Sequence, residues 1–138
     1  MLNLDSDLGR RAERRLREEL VIWLVTAGRD GQPQPSPLWF LWDNGSVLIR
    51  SQPDTPKVRN IAANPKVALH FDSDSKGGNV VVLTGTAEVL PEGFSVAQRE
   101  AYIEKYREDI QDNDMTPDEM LQEYSVTLRV TPTRLRGF

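Results

Sequence analysis

Lys57, Arg59 and Asn60 follow Asp54-Thr55-Pro56, a pattern that opens a short helix and sets cationic side chains in its first turns. A helix N-terminus presents free backbone N–H groups and the positive end of its dipole. The segment is therefore a ready anion site. Just before it, the apolar run Leu38 to Trp42 ends at the turn Asp43-Asn44-Gly45, and a second strand runs from Val47 to Ser51. That hairpin offers edges and an aromatic surface to a flat ring. A ring site beside a phosphate site suggests a cofactor that carries both.

Other chemistries find less support. The 138 residues contain no cysteine and one histidine, His70, so disulfides, thiolate nucleophiles and thiolate metal sites are excluded. With neither a second His nor a Cys, His70 is expected to be structural rather than a metal ligand. There is no Gly-x-Ser-x-Gly, no Walker-type phosphate loop and no Rossmann glycine fingerprint. Asp112-Asn113-Asp114 and Glu123 echo calcium-loop spacing, but Pro117 stands where Gly is needed. Net charge is −4, whereas a nucleic-acid binder is ordinarily basic. No apolar run reaches the roughly 20 residues of a membrane span. The charged segment Met1 to Glu19 does not read as a signal peptide, so a cytoplasmic location is expected.

These residues must be positioned by a small, strand-rich domain. A first helix, capped by Asp5 or Ser6, is expected to about Glu19, with Leu8, Ala12, Leu16 and Leu20 as its apolar stripe. Its arginines read mainly as a solvated face paired with Glu13, Glu18 and Glu19. Strands are expected at Val21 to Ala27, Gln34 to Trp42, Val47 to Ser51, Val67 to Phe71, Asn79 to Val89 and Tyr124 to Thr131. Pro33, Pro35 and Pro37 make the second an edge or a bulge. The helix from Pro56 is expected to end at Asn64-Pro65, with Asn64 in a left-handed cap. Further helices are expected from Ser95 to about Asp112 and from Thr116, where Thr116 and Glu119 form a capping box. Six strands with few long helices predict a mainly β fold, a closed or split antiparallel β-barrel in one domain. So small a barrel fills with side chains, which leaves a flat cofactor outside it.

Ser36-Pro37-Leu38-Trp39-Phe40, Arg50-Ser51, Lys57-Val58-Arg59-Asn60-Ile61 and Asn64-Pro65-Lys66-Val67 together resemble the split-barrel flavin and deazaflavin oxidoreductases. That superfamily includes the pyridoxamine 5′-phosphate oxidases. The resemblance runs from Val21 to the ending Thr131-Pro132-Thr133-Arg134-Leu135 and is nearest to a small branch expected to use coenzyme F-420. It implies a six-stranded split barrel, a homodimer with the cofactor between subunits, and hydride transfer to a small organic acceptor. In that chemistry the cofactor does the reaction and the protein orients it. FMN is the alternative cofactor, and a non-enzymatic flavin-, deazaflavin- or heme-binding protein is the alternative role.

The resemblance also assigns residues. Lys57 would bind the cofactor phosphate; it ends Thr55-Pro56-Lys57 where the oxidases have Ser-Arg-Lys, so one arginine is replaced by Pro56. Arg59 is a candidate for the missing charge, although helical geometry points it elsewhere. Arg50 and Ser51 would meet the ribityl-phosphate chain, and Asn60 would bind cofactor or brace the loop. Ser36, Pro37, Leu38 and Trp39 would pass along the ring. Asn79, Arg134 and Phe138 would approach from the partner subunit. Trp23 and Trp42 are expected in the core or the interface.

Overall fold

The computed structural model describes residues 2–138. Helix α1 (Asp7–Glu18) is followed by strands β1 (Ile22–Ala27), β2 (Pro33–Leu38), β3 (Leu41–Asp43) and β4 (Ser46–Ser51). Helix α2 (Pro56–Ala63), strands β5 (Lys66–His70) and β6 (Val81–Leu90), helices α3 (Val96–Asp112) and α4 (Pro117–Glu123), and strand β7 (Val126–Gly137) complete it. The strands form a single antiparallel sheet in the order β2-β1-β5-β6-β7-β4-β3. Its two edges, β2 and β3, are separated in sequence only by Trp39 and Phe40. The sheet must therefore curl until its edges meet, which makes a split barrel.

Alternation along the strands builds the barrel interior. Ile22 and Leu24 of β1, Val67 and Leu69 of β5, and Val47 and Ile49 of β4 are buried in one cluster with Phe40, Leu83, Leu128 and Val130. Ala12 and Leu16 of α1 close this barrel core. A second cluster lies outside the wall, where α3 and α4 cover Leu41, Leu48 and Leu90 with Tyr102, Tyr106, Ile110 and Met120.

The sheet has seven strands where six were expected. The predicted strand Gln34 to Trp42 breaks at Trp39-Phe40 into β2 and β3. The peptide of Phe40 is taken by α3: its N–H donates to the Tyr106 hydroxyl at 2.8 Å, and its carbonyl accepts from Lys105 Nζ at 2.9 Å. With those groups occupied, the chain leaves β1 and pairs instead with β4. Asn79 falls just before β6 in a left-handed turn (φ 53°). β7 runs on to Gly137, past Pro132, because a register shift between Thr84 and Gly85 absorbs the proline.

Asn64 is not a left-handed cap: its φ of −146° is extended, the conformation that Pro65 imposes on the residue before it. The stripe of α1 holds for Leu8, Ala12 and Leu16, but Leu20 lies beyond the helix and is exposed. Arg17 pairs with Glu13 on the solvated face that was expected, whereas Arg15, paired with Glu19, is largely buried over the Phe71 ring. Arg11 and Arg15 also reach across to the carbonyls of Phe138, Asn79 and Asp72, so they pin α1 over the end of the sheet. The remaining local signals read as expected. Asn44 and Gly45 take the positive φ of a tight hairpin turn, and Ser95 and Thr116 both complete capping boxes.

Candidate cofactor site

β2 is an edge strand because its prolines allow nothing else. Pro33, Pro35 and Pro37 alternate, so their missing donors fall on one side of the strand, and that side faces away from β1. Ser36 and Leu38 are half-buried and Pro37 is exposed. Trp39, at the exit from β2, stacks on Tyr106 with ring centroids 4.5 Å apart and planes within 5°. The single proton of the Tyr106 hydroxyl is shared between the carbonyls of Leu20 and Phe40, at 2.8 and 3.0 Å. Trp39 is thus a fixed aromatic plane at the split of the barrel.

The other wall is α2. Thr55 makes no side-chain cap bond, and Pro56 has no N–H to satisfy. The first intrahelical bond of the turn is Arg59 N–H to the Thr55 carbonyl at 3.1 Å, so the amides of Lys57 and Val58 have no intrahelical acceptor. Lys57 is half-buried, and among the described residues its ammonium has no hydrogen-bond or ion-pair partner. Burial pulls its pKa below the ordinary lysine value. An anion bound there would reverse that cost. Lys57 and two uncapped amides are a donor set that fits a phosphate.

Neighbouring residues tie this turn in place. Ser51 is buried; its hydroxyl lies 3.0 Å from Thr55 Oγ1 and donates to the Gln52 carbonyl at 2.8 Å. Asn60 Nδ2 donates to Thr26 Oγ1 and to Gln34 Oε1, both at 3.0 Å, and so bolts α2 to β1 and β2. Gly28 lies beside it, and a Cβ there would come within 2.7 Å of Asn60 Oδ1, so a larger residue would have to displace the Asn60 amide. Arg59 reaches back to the Asp54 carbonyl, which closes the loop.

Arg50 is placed differently from the expectation of a chain-facing residue. Its Nε, Nη1 and Nη2 donate to the Tyr124 carbonyl (2.7 Å), Thr127 Oγ1 (3.0 Å) and the Leu121 carbonyl (2.6 Å), and its guanidinium lies over Phe94. It joins β4 to the α4–β7 junction.

Asn79 lies away from both walls, and Arg134 shares an outer groove with Pro33 at the start of β2 and with Thr26. The Asn79 side chain accepts from Arg11 at 2.9 Å. Arg134 is exposed on the outer face of the sheet, opposite Thr84, in a groove of about 610 Å³ that it shares with Val25, Ala68 and Lys66. Phe138 is exposed, and Trp42 packs at the edge of the barrel core. The structure thus brings Ser36–Trp39 together with Asn60 through Gln34, and Ser51 with the opening of α2. It leaves Asn79, Arg134 and Phe138 outside that cluster.

Sequence reasoning missed Tyr106 and Lys105, which hold the β2–β3 corner from 66 and 65 residues away. The only sequence trace was an amphipathic helix containing a Tyr.

A curled antiparallel sheet with a ring-sized edge and a phosphate-ready helix defines a split-barrel protein of the flavin-binding type. The chain belongs to the pyridoxamine 5′-phosphate oxidase family, whose model matches residues 8–138. No curated protein matches it in sequence. Among solved structures, it resembles an F-420 reductase at 26% identity and TM-score 0.68, over 90% of this chain and 94% of that one. It also resembles the heme storage protein HutZ of Vibrio cholerae (16% identity, TM-score 0.71, 96% and 95% covered). A FAD-binding protein of Mesorhizobium loti matches at 21% identity and TM-score 0.68, with 91% and 88% covered. The latter two similarities are those of fold.

Proposed function

We propose that the protein is a homodimeric oxidoreductase that binds coenzyme F-420 and passes hydride between it and a small organic acceptor. The observation that carries this reading is Lys57: a half-buried ammonium without a partner, beside uncapped amides at the start of α2. Likeness to an F-420 reductase supports the choice of deazaflavin. Lys57 and the α2 amides would hold the phosphate, and Ser36 to Trp39 would carry the ring. Bound F-420 supplies the hydride chemistry itself.

The protein's part is to fix the ring and keep water from one face. Trp39 is suited to that work because Tyr106 holds it from behind. Ser51 and Asn60 serve by holding the α2 turn against β4 and β1. The second subunit would dock on the outer sheet face, where Trp23, Val25, Ala68 and Val82 are half-buried and Arg134 stands free to reach a neighbour.

Equilibrium titration with F-420, FMN and heme tests the reading. F-420 should bind tightest, and binding should weaken as salt rises, since phosphate and an acidic tail are both screened. Tighter binding of FMN would move the assignment to a flavoprotein. Tightest binding of heme would favour a non-enzymatic role.

A further inference from the structure

Beside Trp39, but on the side of the barrel wall covered by α3 and α4, lies a cleft of about 430 Å³. Trp39, Met115 and Met120 give it apolar walls, and Arg50, Tyr102 and Tyr124 give it polar groups. Nothing in the anion site at α2 uses it.

Two of these polar groups are incompletely partnered. Tyr102 is only 3% exposed, yet among the described residues its hydroxyl has no hydrogen-bond partner. Nor is that oxygen sealed off: among the described residues, no side-chain nitrogen or oxygen is both fully buried and unbonded. The exposed remainder of Tyr102 thus belongs to the cleft it lines. Burial keeps this hydroxyl protonated, so it is a donor. Arg50 uses three of the five N–H donors of a guanidinium on Tyr124, Thr127 and Leu121. It pairs with no carboxylate among the described residues, and burial lowers its pKa for want of one. Glu123 also lines the cleft, but it is exposed and accepts from Gln52 at 3.0 Å.

We propose that this cleft is the acceptor subsite, and that it takes a largely apolar molecule bearing one carboxylate, held by Arg50 and the Tyr102 hydroxyl with its apolar part between Met115, Met120 and the edge of Trp39. The charge of Arg50 selects an acid over its neutral amide, because a half-buried cation gains from a counter-ion it lacks. Glu123 at the rim disfavours a second acidic group. The identification as an acceptor site rests on the reading that the cofactor ring runs along Pro37 to Trp39, which the cleft shares.

The probe is trans-cinnamate, with cinnamamide as its neutral isostere, titrated by calorimetry into the wild type and Tyr102→Phe, with and without saturating F-420. Arg50 is left intact because it also holds the α4–β7 junction, and circular dichroism checks the fold of the variant. Cinnamate should bind saturably and at least about tenfold tighter than cinnamamide, and Tyr102→Phe should weaken cinnamate about tenfold, as loss of a hydrogen bond to a charged group does. F-420 should leave cinnamate affinity unchanged or raise it. Equal affinity for acid and amide, no saturable binding, or an unchanged cinnamate affinity in Tyr102→Phe overturns the proposal. Competition between cinnamate and F-420 also overturns it, by placing the cleft inside the cofactor site. Failure of F-420 to bind alone, with acid selectivity intact, removes the cofactor reading and leaves the carboxylate subsite standing.

Discussion

Lys57 is the residue on which the cofactor reading turns. Its side chain makes no hydrogen bond or ion pair among the described residues, so Lys57→Ala should leave the thermal midpoint nearly unchanged. A charge-assisted bond to phosphate is worth roughly 1.5–3 kcal/mol, so the cofactor dissociation constant should rise about 10- to 150-fold. Titration of the folded variant checks this, and an unchanged constant would put the phosphate elsewhere. Asn60 contrasts with it. Sequence left Asn60 open between cofactor ligand and loop brace, and its bonds to Thr26 and Gln34 support the brace.

Among the elements, the junction of α3 with the β2–β3 corner carries an electrostatic cost. Lys105 sits 3.7 Å above the Phe40 ring, and burial pulls its pKa down to about 8. The unfolded chain holds that proton up to about pH 10.4, so between these values unfolding takes up a proton and stability rises with pH. The contribution is lost as pH falls through about 8. Above pH 10 the trend reverses, because burial keeps Tyr102 and Tyr106 protonated in the folded state only. Urea midpoints should therefore rise from pH 8 to pH 10, and Lys105→Met should flatten most of that rise. Lys57, lowered in the same direction, accounts for a remainder.

The β6–β7 ladder makes a sharper demand. Gly85 sits at the register shift, where a Cβ would lie 2.1 Å from the Thr131 carbonyl oxygen. Backbone cannot yield there as a side-chain end would. Gly85→Ala should cost at least about 3 kcal/mol, read as a lowered urea midpoint. A loss below about 1 kcal/mol would mean that the two strands part without strain.

For the whole molecule, the outer sheet face sets the expected assembly. β1, β5 and β6 turn Trp23, Val25, Ala68, His70 and Val82 outward, and Trp23 and His70 stack there with parallel rings. Such a face on a small domain is suited to a second copy. Light scattering at micromolar concentration should give twice the 15.7 kDa chain mass. Substitution of Val25→Glu should return the monomer and weaken cofactor binding together, since the proposed site needs both subunits. A wild-type monomer that binds cofactor with full affinity would refute the shared site.

How much of this was legible in the chain depended on the range of the interactions involved. Local signals were sufficient for the Asn44-Gly45 turn, the Thr116 cap and the opening of α2, because each is decided within about four residues. The proline phase of β2 announced an edge strand for the same reason: a missing donor is a property of the residue itself. The ordered series from Ser36 to Lys66 pointed to the family. Only the tertiary structure could break the second strand at Phe40, since Tyr106 and Lys105 compete for that peptide from a helix far along the chain. The same distance hid the role of Arg50, whose partners at Leu121, Tyr124 and Thr127 lie more than 70 residues away. Sequence fixes which groups can donate, accept or carry charge. Which of them remain unspent, as Lys57 and the Tyr102 hydroxyl do, is decided only when packing has assigned partners to all the rest.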